Sequence, residues 1–515
     1  MNPLGKRITC DGFVGTIRYV GQVPPNSGDW LGIEWDDPSR GKHDGTHEGV
    51  KYFNCRYDPR AASFVRPKKV QYGCTVPEAI CERYGPPPPP PPSSSGDGVA
   101  DVMGVYEDSR FLARLEEVGL CRLGVAECGD EIAASIPSVT SLDLSDNLIS
   151  SWSTVAGVAS QLADRLTTLQ LSGNCIESFD SVRDSTFPGV KVLFLNRMKL
   201  EWNEVVAILR MFPLAEEVHV CWNAITTIDA SEWHALANLR LLNLEKNSLR
   251  DWAQIMKLSC LSRLETLIVS GNFLESISFS GDDDSVHFPT LKSLSLNDNK
   301  IAEWDSVNSL SKLKTLRELK FKGNPCLRGE QEEDARFLLI ARLPNVQRLN
   351  GSPVSAKERQ LAERYYIKRF AKDRIRLANP AEFCRLHPRY DSLIKEHGEP
   401  IASQTEPPTG VLKDTLLCLT LECPEDLTKK TFTKKLPSIA KKSCFILYIY
   451  RCFYPGTMTL LKLKAFLGRL YRINATEQIV SYRDQKLGRE YELKEDQRTL
   501  SFYSIQSGDT ILLRW

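Results

Sequence analysis

Residues 41 to 45 read Gly41-Lys42-His43-Asp44-Gly45, which sets a cation, an imidazole and a carboxylate side by side between two glycines. The chemistry of such a stretch is binding. Glycine lets backbone come close to a ligand, Lys42 attracts a carboxylate, and His43 donates a hydrogen bond. Trp30 and Phe53 supply an apolar floor beside it, so Trp30, Lys42, His43, Asp44 and Phe53 form a candidate groove for an acidic segment. Catalysis finds no support. His43 follows Gly41-Lys42 where a phosphate loop needs Ser or Thr, and the chain contains no H-E-x-x-H or G-x-S-x-G. The 7 histidines fall at no metal-ligand spacing and the 15 cysteines include no C-x-x-C pair, so the expectation is a protein that is not an enzyme and needs no cofactor or metal.

The elements that must hold this loop are short β-type runs such as Phe13 to Val20, punctuated by glycine over residues 1 to 76. That pattern predicts a small β-barrel, with Trp35 the aromatic assigned to plain core. Residues 1 to 76 carry 11 Lys and Arg against 8 Asp and Glu, a net +3 that attracts an acidic partner. The run Gly28-Asp29-Trp30-Leu31-Gly32-Ile33-Glu34-Trp35, the Gly41 to Gly45 loop and Tyr52-Phe53-Asn54-Cys55 together resemble the CAP-Gly domain. The resemblance implies that the loop and nearby aromatics bind the acidic, aromatic-ended C-terminal tail of α-tubulin and similar proteins. His43 stands where that family usually has Asn. As a cation it would tighten tail binding as pH falls through about 6.5.

Residues 139 to 349 repeat a second pattern, apolar-x-x-apolar-x-apolar-x-x-Asn-x-apolar, at a period of 24 to 27 residues. Its Asn slot holds Asn147, Asn174, Met198, Asn223, Asn247, Asn272, Asn299 and Asn324. The period predicts a leucine-rich repeat solenoid of α/β type, since no single repeat can bury its own apolar face. Trp152, Phe179, Ile228, Trp252, Ile277 and Trp304, five residues after their Asn slots, read as filler on the descending side of each coil. The outward strand positions of the central repeats gather Phe194, Arg197, His219, Trp222, Leu241 and Lys246 into a candidate protein-contact face.

The remaining organisation follows from composition. Seven prolines, Pro86 to Pro92, and the Ser/Gly run after them mark residues 77 to 100 as a linker expected to hold the first domain off on a tether. Residues 101 to 351 are assigned to the array with its N-terminal cap, and 352 to 411 to a basic capping helix, opened by Ser355 and Glu358, and a connector whose cations are read as a solvated face. Ser280 to Ser285 reads as an acidic surface loop. Lys plus Arg is 66 and Asp plus Glu is 65, so global charge argues for neither nucleic acid nor membrane as a partner. No stretch reaches the roughly 18 apolar residues of a span, and the thiols are expected reduced and mostly buried; the location expected is the cytoplasm, including microtubules.

From residue 412 onward the order is strand (Thr415 to Leu421), strand (Lys429 to Leu436), helix (Thr459 to Tyr471), strand (Ile479 to Arg483), the segment Leu500 to Tyr503 and a last strand (Asp509 to Trp515). It resembles a β-grasp, ubiquitin-like domain, with Leu460, Leu463, Leu467 and Leu470 facing the sheet. Residues 438 to 455 interrupt it and read as an atypical insertion. CAP-Gly, leucine-rich array and ubiquitin-like domain in this order resemble the tubulin-folding cofactor E family. The resemblance implies a protein that captures α-tubulin and works with other tubulin-folding cofactors to assemble, and also dissociate, the α/β heterodimer, with GTP hydrolysed by tubulin. A microtubule-associated adaptor and a shuttle delivering tubulin to the proteasome are the alternatives.

Overall fold

The computed structural model describes residues 3–85, 112–399 apart from 164, 178–184, 230–232, 280–286 and 377–379, and then 416–422, 432–437 and 458–515 apart from 486–487, 501, 504 and 506–508. Residues 86–100 of the expected linker, the Ser280 to Ser285 loop, Phe179 and the 438 to 455 insertion lie outside the described residues, while the start of that linker is instead a helix, Val76–Tyr84, which buries Ala79 and Ile80 and opens on a capping box between Thr75 and Glu78. The chain divides into two compact units, residues 1–328 with 348–352, and residues 329–347 with 353–515.

In the first unit, strands Arg7–Cys10, Phe13–Val23, Asn26–Trp35 and Ala62–Val65 form an antiparallel sheet in that order. Apolar residues alternate along them, so one face collects Ile8, Cys10, Ile17, Leu31, Ile33 and Trp35 into a small core. Trp35 lies there as expected.

The repeats build a second, parallel sheet running from Glu117–Gly119 to Arg348–Leu349, each three-residue strand in register with the next. Alternation points Leu142, Leu169, Leu193, Val218, Leu242, Leu267, Leu294 and Leu319 inward, all fully buried. Each burial is worth about 1.5 to 3 kcal/mol. The Asn slot closes the turn. Asn247 Nδ2 donates to the Val220 and Leu244 carbonyls, both at 3.0 Å, and its Oδ1 accepts from Ile225 N–H at 3.3 Å. The residue before each slot takes a left-handed turn, before Met198 as before the Asn residues. Asp146, Arg197, Trp222, Lys246 and Asp298 all have φ of 54° to 57°, while glycine takes the same place at 173, 271 and 323.

Helices Trp152–Gln161, Trp202–Met211, Trp252–Met256 and Trp304–Ser309 each begin on a tryptophan five residues or so beyond the turn. Ser151 and Asp251 cap the first and third through the N–H groups of Ser153 and Ala253. Trp152, Ile228, Trp252 and Ile277 are buried and Trp304 is half-buried, which supports their reading as filler.

The first domain is not held away from the array. Arg18 donates to Glu34 at 2.7 Å and, through both Nη atoms, to Glu177 of the array at 2.5 and 2.6 Å. Arg56 reaches Glu204 at 3.2 Å, Lys6 reaches Glu127 at 2.9 Å, and Cys74–Thr75 pairs in parallel with Val125–Glu127. Tyr57 places its hydroxyl 3.7 Å from Cys175 Sγ and its ring 4.0 Å from Lys199 Nζ. A proline count measures what a linker allows, whereas these ion pairs decide where the domain rests.

In the second unit, helix Ala356–Arg376 opens on Ser355, whose hydroxyl accepts from Glu358 N–H at 3.1 Å. Its basic face is not simply solvated. Arg359 caps the carbonyls of Ile340 and Leu343 at 3.2 and 3.1 Å, and Arg364 pairs with Asp484 at 2.9 Å. The Arg359 guanidinium satisfies orphan carbonyls at a helix end, and Arg364 is neutralised by a carboxylate, work that a water-facing cation does not do. The C-terminal domain is a five-stranded mixed sheet in the order Phe432–Pro437, Leu416–Glu422, Thr510–Arg514, Ile479–Arg483, Glu490–Leu493, crossed by helix Leu460–Tyr471, which is a β-grasp. The Glu490–Leu493 strand was not anticipated, because acids alternate along it. Leu500, Phe502 and Tyr503 instead form a buried turn, with the Phe502 ring stacked on Phe337 at 4.6 Å. Cysteines among the described residues are free thiols, but only Cys10, Cys175 and Cys326 are fully buried.

Candidate functional site

The loop from Gly41 to Gly45 is held by strand Ala62–Val65 and its approach. Lys42 and His43 N–H groups both donate to Ala62 O, at 2.7 and 3.2 Å, and His43 O accepts from Ala62 N–H at 3.1 Å. Both glycines are required by the domain's own backbone. A Cβ on Gly41 would lie 1.9 Å from Arg60 O, and one on Gly45, at φ +93°, would lie 2.2 Å from Phe53 O. The close approach expected toward a ligand is thus used internally.

Asp44 is likewise occupied. It accepts from Thr46 N–H at 3.0 Å and from Lys51 Nζ at 2.8 Å, and these bonds hold its carboxyl well below the usual carboxylate range. Lys42 is different: its side chain is exposed and forms no ion pair among the described residues. It is the cation the loop offers to a ligand.

His43 lies half-buried with its ring stacked on Phe64 at 4.9 Å, and its Nδ1 accepts from Gly45 N–H at 3.0 Å. Burial pushes its pKa down, and Lys42, Lys51 and His47 add to that while Asp44 opposes it. The ring is therefore neutral at pH 7, with Nε2 left as the donor. A cationic His43 is disfavoured in the loop as it stands, because protonating Nδ1 breaks the bond that closes the loop.

The apolar part of the site centres on Phe64, which the sequence reading passed over. Around its ring lie His43, Tyr52 at 5.5 Å, Phe53 at 5.7 Å, His47 at 6.1 Å and Tyr19 at 6.2 Å. Phe53 itself is only 7% exposed, because its ring fills the space above Gly32, where a Cβ would meet it at 2.3 Å. It supports the surface from beneath, while Phe64, Tyr52 and Tyr19 remain partly open. Trp30 is not brought to this cluster. The Arg66 guanidinium covers its ring at 3.8 Å, tied in place by Ser27 O at 2.8 Å. The signal for Phe64 was the alternation along Ala62-Ser63-Phe64-Val65, which sends Ala62 and Phe64 to the loop's side.

The array residues fall into two groups. Phe194 and His219, in register on adjacent strands, stack face to face at 4.3 Å and 8°, with burial pushing the His219 pKa down and its Nδ1 3.3 Å from Asn243 Nδ2. Leu241 lies half-buried on the following strand, paired with Glu217. Trp222 and Lys246 meet at the turn edge, 5.6 Å from ring to Nζ, while Arg197 turns away to Asp146 at 3.1 Å.

A model of the CAP-Gly domain matches residues 4–70. Over 532 residues the chain is 36% identical to tubulin-specific chaperone E of Xenopus laevis, covering 99% of this chain and 98% of that one. It is 38% identical over 536 residues to tubulin-specific chaperone E of Danio rerio, covering 99% of each. The chain belongs to the tubulin-specific chaperone E family. The family reaches beyond animals, since tubulin-folding cofactor E of Arabidopsis thaliana is 32% identical over 531 residues, 97% of this chain and 95% of that one. These alignments cover 99% of this chain, so they run through the CAP-Gly loop, the array and the β-grasp alike.

Proposed function

We propose that the chain is a cytoplasmic tubulin-folding cofactor that captures α-tubulin by its acidic C-terminal tail. In this reading it acts with the other tubulin-folding cofactors to assemble, and under other conditions dissociate, the α/β-tubulin heterodimer. The observation that carries the reading is Lys42, an exposed cation with no ion pair among the described residues, on a loop fixed beside the open rings of Phe64, Tyr52 and Tyr19. An extended peptide laid there would set its carboxylates on Lys42, accept from His43 Nε2, and rest its terminal ring on the aromatic cluster. The names its relatives carry point to tubulin as the client. The chain contributes binding and positioning, and GTP hydrolysis belongs to tubulin.

A charge-assisted contact contributes about 1.5 to 3 kcal/mol, which is tenfold or more in affinity. Lys42→Ala in the full chain should therefore bind a synthetic α-tubulin tail peptide at least ten times more weakly, measured by fluorescence anisotropy, with the melting temperature unchanged. Equal affinity of the variant and the parent would overturn the reading. An adaptor for microtubules would instead co-sediment with polymer and ignore soluble subunits.

A further inference from the structure

We propose that Lys51 is a positioning residue of the tail groove, which holds and neutralises Asp44 so that the rim presents Lys42 unopposed to an acidic peptide. The proposal rests on the reading of the CAP-Gly groove given above. The need for such a residue lies in the loop's own sequence. Lys42 and Asp44 are both exposed, while His43 between them stacks on Phe64. Antiparallel pairing of His43 with Ala62 keeps this part of the loop extended, and in an extended chain residues two apart share a side. A peptide drawn by Lys42 therefore meets the Asp44 carboxylate beside it. Left unpaired, that charge would cancel much of the attraction.

The hairpin that follows supplies the counter-charge. Strands Thr46–His47 and Val50–Lys51 pair with Thr46 opposite Lys51, which carries the lysine back to the loop. Its Nζ donates to Asp44 Oδ2 and to the Asp44 carbonyl, both at 2.8 Å. Of the bonds that hold the Asp44 carboxyl low, the one from Lys51 is the largest, ahead of those from Thr46. The grip on the carbonyl fixes backbone as well as charge. The next residue, Tyr52, ties its N–H to Gly45 O at 3.0 Å while its ring reaches Phe64, so one strand sets both the field at the rim and an aromatic wall of the groove. Glu48 is exposed at the hairpin tip, so a rim without Lys51 would set two carboxylates against Lys42. The pair is 43% exposed at Lys51 and 49% at Asp44, which makes it a minor contributor to the fold. Its weight falls on the ligand.

The test uses the full chain and its Lys51→Gln, Lys51→Arg, Asp44→Asn and Asp44→Asn/Lys51→Gln variants, with a synthetic α-tubulin tail peptide as the probe. In dilute salt Lys51→Gln should bind the peptide about fivefold more weakly at an unchanged melting temperature, and the gap should narrow in high salt, as a lost structural contact would not. Lys51→Arg, which keeps the charge, should stay within twofold of the parent. Once Asp44→Asn has removed the carboxylate, adding Lys51→Gln should change affinity by less than twofold. Parent-like affinity of Lys51→Gln in dilute salt overturns the proposal. So does an equal loss with and without Asp44→Asn, which would mean that Lys51 touches the tail itself. Amide exchange at Gly45 and Thr46, followed without peptide, should quicken in Lys51→Gln. A parent chain that ignores the peptide would refute the groove reading, and the exchange arm then decides on Lys51 alone, unchanged exchange overturning its hold on the loop.

Discussion

The CAP-Gly loop and the array's turn edge are built from the same materials, glycine-punctuated turns carrying lysine, arginine and aromatic rings, yet they spend them differently. In the loop, the space a glycine leaves is taken by backbone: Arg60 O against Gly41 and Phe53 O against Gly45. On the edge it is taken by a flexible side chain, as where Lys246 Cδ lies 2.5 Å from the Cβ that Gly271 lacks. Loop residues are also mostly committed to one another, Asp44 to Lys51 and His43 to Gly45, whereas Trp222 and Phe273 stand in solvent. A short peptide is well served by a rigid, pre-shaped groove, because little ordering entropy remains to be lost on binding.

The comparison presumes that the two regions hold a fixed relation, and Arg18 is the residue on which that depends. Its side chain is 16% exposed, and those of Glu34 and Glu177 are 4% and 20% exposed. Burial works against charge at Glu177, but the paired Arg18 outweighs it and holds the carboxyl below its usual range. Arg18→Ala leaves two shielded carboxylates facing each other, a loss of about 3 to 5 kcal/mol. Hydrogen exchange should then rise at residues 175–177 and 55–57 together. Unchanged protection there would mean that the domain rests on the array by other contacts.

Gly45→Ala should come next in size. The added methyl meets backbone that cannot yield and also needs a left-handed turn, together about 3 kcal/mol. The loop should open, and tail-peptide binding should fall by more than tenfold even though Lys42 is untouched. On the array edge the corresponding change, Gly271→Ala, meets only the Lys246 stem, which can swing aside. Its cost should be the left-handed term alone, about 1 kcal/mol in chemical denaturation. Equal costs at the two glycines would dissolve the distinction between a rigid and an adaptable turn.

Much of this was legible beforehand, for reasons that differ by region. The array declares itself because every repeat must solve the same burial problem, so Leu142, Leu242 and Leu294 recur at one spacing and Asn247 must close its turn. The β-grasp shows in its helix, whose apolar face has a fixed period. The loop was found from glycine spacing, but the partners of those glycines, Arg60 and Phe53, are contacts across the sheet that no local pattern encodes. Phe64 differs, since the alternation along Ala62 to Val65 does give its side of the strand, and only its ring contacts with His43 and Tyr52 lie beyond the local pattern. Nor could the docking of the CAP-Gly domain be read, since Arg18, Glu177 and Glu204 are ordinary charged residues whose meaning lies only in their meeting. Trp222 was visible as an outward aromatic, while its left-handed backbone followed only from the neighbouring Asn ladder.

The smallest expected effect concerns His43 and is read through pH. Burial, with help from Lys42, Lys51 and His47, lowers its pKa from the ordinary 6.5, so the folded loop prefers the neutral ring more than the unfolded chain does. A group shifted in this direction stabilises the fold fully above pH 6.5, and that contribution is lost as pH falls below 6.5 toward the lowered value. Protonated Nδ1 turns from acceptor to donor and repels the Gly45 N–H it now accepts from. Binding of the tail peptide should therefore be level from pH 8 to 7 and weaken by about threefold toward pH 5.5, the worth of one neutral hydrogen bond. His43→Asn keeps a short polar side chain in the loop without a group that titrates, and its tail binding should be flat with pH. Tightening of the parent's grip on acidification would show that the bound tail's carboxylates draw a proton onto His43 against the loop's own preference.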